Sequence, residues 1–408
     1  MNLKTRIQLS LMMFLEFFIW GGWFVTLGTF LNANLNATGA ESAMAFSTQS
    51  WGAIIAPFII GLIADRYFNA EKILGILHIF GAVLMYLMAQ ASDFSVFYPY
   101  VLGYMILYMP TLALVNSISF RQMKDPSKEF SFVRVFGTAG WVIAGVVISY
   151  TGWDSEAGRA EGLLSNTFMM VGVASAILGV FSFTLPKTPP QADRSEKVRI
   201  SEILGLDALK LLKDKNFFIF FLASILICIP LAFYYQNTNP FLSEIGMTNP
   251  TAKMAIGQVS EILFMLLLPF FFTKFGFKKT ILVGMAAWAV RYFLFAYGDA
   301  GELTYMLLIG IALHGICYDF FFVSGQIYTD TKAGAKYKSA AQGLITLATY
   351  GVGMLIGFWV AGKITDQFLR PDNTHLWKAI WTFPAYFAIG VFVLFALFFK
   401  NEKIEYKA

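Results

Sequence analysis

Charged side chains are scarce in this sequence. Asp, Glu, Lys and Arg make up 13% of the 408 residues, whereas apolar residues make up 57% and the mean hydropathy is +0.63. A soluble domain carries about 25% charged residues. A chain of this length has room for roughly a dozen apolar spans of about 20 residues with short connections. The composition therefore excludes an ordinary soluble domain and indicates an all-α membrane protein with many transmembrane helices.

Cysteine and histidine are also few. The two cysteines, Cys228 and Cys317, fall inside apolar runs, so they indicate neither a disulfide framework nor a metal site. The three histidines, His78, His314 and His375, are too far apart in the sequence to form a metal-binding motif. We therefore expect neither a metal nor another cofactor.

The apolar runs predict twelve transmembrane helices. Their bounds are roughly 7–32, 44–65, 72–91, 95–121, 131–150, 163–185, 216–242, 252–273, 279–298, 303–328, 338–363 and 376–400. If the N-terminus is cytoplasmic, most of the 30 Lys and Arg residues fall in inner segments. This distribution explains the net charge of +5 without nucleic-acid binding. We expect a monomeric multi-pass protein in the lipid bilayer of a bacterial inner (plasma) membrane, with both termini cytoplasmic.

The longest connection divides the chain into two parts. Residues 186–215 begin polar and Pro-rich and then become amphipathic, which predicts a short helix on the inner surface. The connection separates residues 1–185 from residues 216–408, with six predicted spans in each part. Two six-helix halves joined by a cytoplasmic linker resemble the major facilitator superfamily. The loop at residues 61–66 and its counterpart at residues 273–279 each resemble part of that superfamily's loop signature, as internal repeats should.

Several short motifs lie within or beside the predicted spans. They include Trp20-Gly21-Gly22-Trp23, Arg134-Val135-Phe136-Gly137-Thr138, Gln258-Val259-Ser260-Glu261, Tyr318-Asp319-Phe320-Phe321 and Ser339-Ala340-Ala341-Gln342-Gly343. Together they resemble the nucleoside:proton symporters of the major facilitator superfamily, and the resemblance runs over nearly the whole chain. It implies a secondary transporter, not an enzyme, that imports nucleosides with protons by alternating access.

The resemblance also implies which side chains contact the nucleoside. They are an Arg, a Thr and an aromatic residue of span 5, a Gln and a Glu of span 8, and an aromatic–Asp pair of span 10, namely Arg134, Thr138, Trp141, Gln258, Glu261, Tyr318 and Asp319. The family's polar pair in span 7 is not kept, because Ala232 and Tyr235 occupy the aligned positions. Gln236 and Asn239 are the nearby substitutes. In span 1, Glu16 stands where an uncharged amide is expected.

Helical spacing is consistent with these assignments. Arg134, Thr138 and Trp141 are spaced i, i+4, i+7 and share one face of a helix. Gln258 and Glu261 are spaced i, i+3 and also share a face. The fold analogy, rather than the spacing, predicts that Arg134 faces Glu261 across the two halves.

Carboxylates outnumber cations among the predicted cavity residues. Asp319 lies in an apolar run with no Lys or Arg within a helical turn, and Glu261 and Glu16 are the other acids within spans. Arg134 is able to neutralise one of them, so another is favoured as the protonated acid. We expect Asp319, Glu261 or Glu16 to carry the coupled proton. Arg291, in span 9, is expected to be structural.

Two other functions stay open on the sequence alone. One is a proton-coupled facilitator for another neutral polyhydroxylated solute, such as a sugar. The other, less favoured, is a polytopic membrane enzyme or a sensor. The sequence shows no clustered His, Asp or metal ligands that an enzyme would need, and its longest loop is too short for a signalling domain. Phosphorylated substrates are disfavoured because Arg134 is the one cation on a predicted cavity helix.

Overall fold

A computed structural model of the chain describes residues 1–59, 67–124, 126–190 and 206–402, and this part is almost entirely helical. The α-helices are α1 (Leu3–Gly21), α2 (Leu27–Leu35), α3 (Gly39–Ile59), α4 (Ala70–Ala89), α5 (Phe94–Gln122), α6 (Pro126–Tyr150), α7 (Glu156–Ala160), α8 (Ser165–Ser182), α9 (Lys215–Glu244), α10 (Pro250–Tyr297), α11 (Thr304–Ala312), α12 (His314–Tyr318), α13 (Ser324–Thr346), α14 (Met354–Gln367) and α15 (Trp377–Phe398). Two segments are π-helical, π1 (Asp319–Val323) and π2 (Leu347–Gly353). The predicted all-α class is confirmed.

Nine helical segments of the described chain are long and apolar enough to cross a membrane. The 48-residue helix α10 contains two of the predicted spans and turns between them at Gly276, whose φ is 75°. Helix α13 turns in the same way at Gly334, with φ 63°. Positive φ favours glycine at both turns. The count of twelve spans stays a prediction.

The predicted linker is described only in part. Residues 206–213 form a 3₁₀ helix, Leu206–Lys213, where an amphipathic helix was expected. Its buried Ala208 packs against Ala333, Ala341 and Leu344, so apolar contact with α13 holds this end of the connection in place. The rest of the predicted linker helix and the motif at residues 61–66 lie outside the described residues.

The chain forms two compact units. The first comprises Met1–Ala37, Met44–Arg199 and Thr248–Ala252. In it, α1 packs closely on α6 because glycines remove side chains from the contact. A Cβ atom on Gly140 would lie 2.2 Å from the carbonyl oxygen of Phe14. Small residues at helix crossings let backbones approach in this way within a membrane.

The second unit comprises Thr38–Ala43, Ile200–Met247 and Lys253–Ala408. Here π2 and α14 approach α9 through two glycines. A Cβ atom on Gly353 would lie 2.8 Å from the Cβ of Cys228, and one on Gly357 would lie 2.6 Å from the Cβ of Ala232. The glycines of this segment therefore serve helix packing.

Polar side chains fix the start of α3. Thr38 and Glu41 form a capping box, in which the Thr38 amide donates to Glu41 Oε2 at 2.8 Å and the Glu41 amide donates to Thr38 Oγ1 at 3.1 Å. Asp366 of α14 accepts from the amides of Gly39 at 2.6 Å and Ala40 at 2.9 Å. A carboxylate at a helix N-terminus is favoured by the free N–H groups and by the helix dipole.

The backbones of α3 and α14 also meet at this point. A Cβ atom on Gly39 would lie 2.4 Å from the carbonyl oxygen of Gly362, and one on Gly362 would lie 2.3 Å from the carbonyl oxygen of Gly39. Asp366 therefore reaches the start of α3 because two glycines allow the helices to touch.

The first unit contains a similar arrangement at the start of α10. Asp154 Oδ2 accepts from the amide of Thr251 at 3.1 Å and from the hydroxyl of Ser149 at 2.7 Å. Ser149 Oγ in turn accepts from the amide of Ala252 at 3.0 Å. In each unit an aspartate thus holds the first turn of a helix, from α14 in the second unit and from the turn between α6 and α7 in the first.

Replacing Asp366 with Ala removes the acceptor for two amides of α3. We expect the Asp366→Ala variant to lose about 1 kcal/mol of stability, the usual effect of removing a cap. Thermal unfolding of the purified protein in detergent measures the loss. The Asp372→Ala variant is the control, because Asp372 accepts from Thr374 within its own loop. Equal unfolding temperatures for the two variants would contradict this role of Asp366.

Candidate functional site

Asp319 is the most unusual side chain of the second unit. It is 0% exposed, and neither of its carboxylate oxygens has a hydrogen-bond partner in the described part of the chain. It begins π1, directly after the short helix α12. Segments of π-helix are frequent at functional sites. An ionised carboxylate without a partner is costly in apolar surroundings, so this geometry favours the protonated acid or a ligand that pairs with it.

Three helices of the second unit contribute to a chain of polar contacts. Nη1 of Arg291, on α10, lies 3.3 Å from Nδ1 of His314, on α12. Nε2 of the same histidine lies 3.9 Å from Oε2 of Glu261, which is also on α10. Arg291 is 0% exposed, and its guanidinium lies 3.5 Å from the ring centroid of Tyr234, on α9. The buried charge is thus supported by a cation–π contact and by one hydrogen bond.

This contact determines the tautomer of His314. A guanidinium donates hydrogen bonds and accepts none, so Nδ1 of His314 must be the acceptor. The ring hydrogen then sits on Nε2, the atom that faces Glu261. Arg291 therefore keeps His314 neutral and directs its N–H toward the carboxylate of Glu261.

Close contact between α10 and α12 brings these groups together. A Cβ atom on Gly315 would lie 2.6 Å from the backbone of Ser260, and the amide of Gly315 donates to Ser260 Oγ at 3.1 Å. On the same face, a Cβ atom on Gly257 would lie 3.2 Å from the Cβ of His314. Glycines on both helices therefore set the distance between Glu261 and His314.

Tyr318 lies at the edge of a pocket within the second unit. Its hydroxyl hydrogen-bonds to the hydroxyl of Tyr350, so a residue beside π1 meets one within π2. The pocket is lined by both rings together with polar and apolar side chains, among them Gln326, Gln342 and Thr349. An aromatic wall with a few polar groups is typical of small-molecule sites.

The remaining predicted residues of the second unit differ in their surroundings. Gln236, on α9, is 2% exposed, and neither its amide oxygen nor its nitrogen has a hydrogen-bond partner among the described residues. Asn239, one turn further, is 0% exposed and directs its amide nitrogen toward Met254 Sδ at 3.6 Å. Gln258 is half-buried on α10. Gln236 is thus the better placed of the two substitutes to pair with a ligand.

The predicted nucleoside-contacting residues of the first unit lie on α6 and are half-buried. The guanidinium of Arg134 lies 4.0 Å from the ring centroid of Phe17, on α1. Trp141 packs edge-on against Trp20, also on α1, with ring centroids 5.7 Å apart. Arg134 and Trp141 therefore both contact α1, as expected for positions on one face. Thr138 lies between them on α6. The prediction that Arg134 faces Glu261 stays a prediction.

Sequence reasoning missed the contact between Arg291 and His314. The sequence predicted a structural role for Arg291, and the structure adds that His314 lies between Arg291 and Glu261. The sequence offered one indication of this contact, namely that Glu261, Arg291 and His314 are ionisable residues within apolar spans. Glu16, the third predicted proton carrier, is buried in the first unit, where it contacts His78.

Comparison with known proteins gives matches along the full length of the chain. The family model described as "Nucleoside H+ symporter" matches residues 1–404. The chain is 44% identical to the putative nucleoside transporter YegT of Escherichia coli (strain K12), over 100% of this chain and 96% of that one. It is 31% identical to the nucleoside permease NupG of the same organism, over 99% and 98%. A crystal structure of the nucleoside transporter NupG superposes with a TM-score of 0.87 at 30% identity, covering 98% of this chain and 100% of that one.

Adding a methyl group at Gly315 should disturb the contact between α10 and α12. Because the new Cβ would meet backbone atoms of Ser260, we expect Gly315→Ala to destabilise the protein by about 1–3 kcal/mol, the usual range for overpacking. Thermal unfolding in detergent measures this. Gly390→Ala is the matched control, since a Cβ there has no neighbour within 4 Å. Equal stability of the two variants would show that the contact tolerates a side chain.

Proposed function

The chain belongs to the nucleoside H⁺ symporter family, and from this premise we propose that it imports nucleosides together with protons by alternating access. Its all-α fold is that of the major facilitator proteins, as the sequence predicts. The observation that carries the proposal is Asp319, a fully buried carboxyl group with neither oxygen partnered in the described chain. Such a group is suited to bind a proton and release it.

Substrate binding is assigned to the family positions in each unit. A nucleoside offers an aromatic base and a sugar with hydroxyl groups, so it needs both stacking surfaces and hydrogen-bond partners. In the first unit, Trp141 supplies a ring, and Arg134 and Thr138 supply donors. In the second unit, Tyr318 supplies a ring. The hydrogen-bonding side chains of that unit are Gln236, Asn239, Gln258, Glu261 and Asp319.

Proton coupling is assigned first to Asp319 and Glu261. As a neutral acid, Asp319 is able to donate its O–H to a nucleoside hydroxyl, and the charge of Glu261 acts on it. Once ionised, Asp319 would leave a buried charge unpaired, which disfavours reorientation of the substrate-loaded carrier without its proton. His314 presents an N–H toward the carboxylate of Glu261.

The wider setting follows from the same proposal. We place the protein in a bacterial inner membrane with both termini cytoplasmic, because Lys and Arg concentrate in the segments that this orientation puts inside. It acts as a monomer, and no cofactor takes part. The proton gradient supplies the free energy for uptake.

Neutralising Asp319 should separate binding from proton coupling. Asn keeps the size of the side chain but does not titrate, so we expect Asp319→Asn to retain nucleoside counterflow and to accumulate less nucleoside in a pH gradient. One proton coupled to a gradient of one pH unit corresponds to about tenfold accumulation. Uptake of radiolabelled uridine by proteoliposomes with and without the gradient measures both activities. Glu261→Gln is tested in the same way.

The control variant is Asp372→Asn, which alters an acid in an exposed loop. It should behave as the unaltered protein in both assays. If Asp319→Asn and Glu261→Gln both keep the rate of uptake and its pH dependence, neither acid carries the coupled proton.

Competition tests the substrate class. Purine and pyrimidine nucleosides should reduce uridine counterflow, whereas sugars such as sucrose should not, because a sugar lacks the aromatic base that Trp141 and Tyr318 would stack on. Stronger competition by sugars than by nucleosides would favour a facilitator for polyhydroxylated solutes. Absence of counterflow with every solute would contradict the transport proposal.

A further inference from the structure

Four helices of the first unit enclose an acid–histidine pair. Glu16 of α1 is 0% exposed and His78 of α4 is 2% exposed, and Glu16 Oε2 lies 2.9 Å from His78 Nε2. Ser175 of α8 lies beside the other ring nitrogen, with Oγ 3.0 Å from Nδ1. Thr111 of α5 lies beside the other carboxylate oxygen, with Oγ1 2.6 Å from Oε1. Every polar atom of the two side chains therefore has a neighbour.

The hydrogen bonds fix one proton on His78. The hydroxyl of Ser175 donates its single hydrogen to the backbone carbonyl of His78 at 2.9 Å. Its oxygen is thus left to accept from His78 Nδ1, which must carry a hydrogen. A second hydrogen must lie between Nε2 and Glu16 Oε2, because two lone pairs would repel each other at 2.9 Å. The pair therefore holds at least one proton that its two members share.

Thr111 gives the pair room for another proton. Its oxygen lies 2.6 Å from Glu16 Oε1 and 2.5 Å from the backbone carbonyl oxygen of Tyr108. When the Thr111 hydroxyl donates to Oε1, Glu16 is a carboxylate. When the hydroxyl turns to the carbonyl of Tyr108, its oxygen accepts a hydrogen from Oε1, and Glu16 is an acid beside a cationic His78. Both states satisfy the hydrogen bonds of the pair.

The neighbouring titratable and charged groups come from α5 and α6. The hydroxyl of Tyr108 donates to the backbone carbonyl of Glu16 at 2.8 Å, and the ring of Tyr104 stacks on Tyr108 with centroids 5.5 Å apart. Glu16 acts electrostatically on both tyrosines, and Arg134 of α6 acts on Tyr108. Helix α8 presents the uncharged Ser175. Hydroxyl groups thus surround the Glu16–His78 pair. The nearby cation is Arg134, which acts electrostatically on Tyr108.

We propose that Glu16 and His78 form a second proton-binding site, which takes up and releases one proton in each transport cycle in addition to the proton on Asp319. Complete burial of the pair supports coupling of its proton to transport. The pair can exchange a proton with water only when a movement of the protein opens the cluster. A site in constant contact with water would instead let protons leak. The coupling part of this proposal rests on the proposed function, whereas the proton-binding part does not.

Glu16→Gln is a variant that should preserve the structure. The amide nitrogen of Gln is able to donate to the bare Nε2 of a neutral His78, and its oxygen is able to accept from Thr111. The local hydrogen bonds therefore remain while the acid is removed. Glu161→Gln is the matched control, because Glu161 is an exposed acid of the same unit.

Proton uptake by the purified protein is measured first, with a pH indicator in weakly buffered detergent solution. On acidification from alkaline to mildly acidic solution, we expect Glu16→Gln to bind about one proton fewer than the unaltered protein. Glu161→Gln should match the unaltered protein, because Glu161 is exposed and lies outside the cluster. His78→Gln should lose the same proton, and the double variant should lose no more than either single variant, since the added proton needs both Glu16 and His78.

Accumulation in proteoliposomes tests the coupling. With one coupled proton fewer, the limiting accumulation of nucleoside by Glu16→Gln should fall about tenfold at a gradient of one pH unit, while counterflow persists. Unchanged proton binding by Glu16→Gln would overturn the site, and unchanged accumulation would overturn its coupling. If the unaltered protein accumulates nothing in a pH gradient, the proposed function fails, and the proton count still decides whether the pair binds a proton.

Discussion

An ionisable side chain buried among apolar helices must hold a proton or face a partner, and this requirement governs the polar groups of both units. Asp319 has neither oxygen partnered in the described chain, and Glu16 has both oxygens partnered. Arg291 is held by one histidine nitrogen and by the face of Tyr234. The distribution of partners therefore determines where a proton can bind.

The two buried histidines show how a neighbouring residue sets this affinity. Ser175 accepts from Nδ1 of His78, which leaves Nε2 free to gain a hydrogen and the ring free to become a cation. Arg291 donates to Nδ1 of His314, so this nitrogen carries no hydrogen and the ring has a single hydrogen, on Nε2. The same ring thus serves as a proton carrier in one unit and as a fixed donor in the other. Which role the ring takes depends on whether the group beside Nδ1 is a hydroxyl, which can accept a hydrogen bond, or a guanidinium, which cannot.

The sequence alone was sufficient for features that depend on local pattern. Low charge and long apolar runs predicted the helical membrane fold, and the apolar run around Asp319 predicted a buried carboxyl group. The spacing of Arg134 and Trp141 predicted a common face, and both contact α1. Contacts between residues that are far apart in the sequence could not be predicted from it. Glu16 and His78 are 62 positions apart, and their pairing depends on how α1 and α4 both pack on α8. The π segments also escaped prediction, because they result from packing rather than from a periodic pattern.

The crossing of α3 and α14 at Gly39 and Gly362 has a consequence for engineering. Each glycine has a carbonyl oxygen of the other where its own Cβ would be, so a single methyl group at either position would act as a wedge between the two helices. The wedge would separate the start of α3 from Asp366 without altering any group that binds a proton or a substrate. Alanine at Gly39 or Gly362 would therefore loosen the helix crossing and leave the binding residues unchanged. Transport by such a variant would show how much this contact contributes to the movement of the carrier.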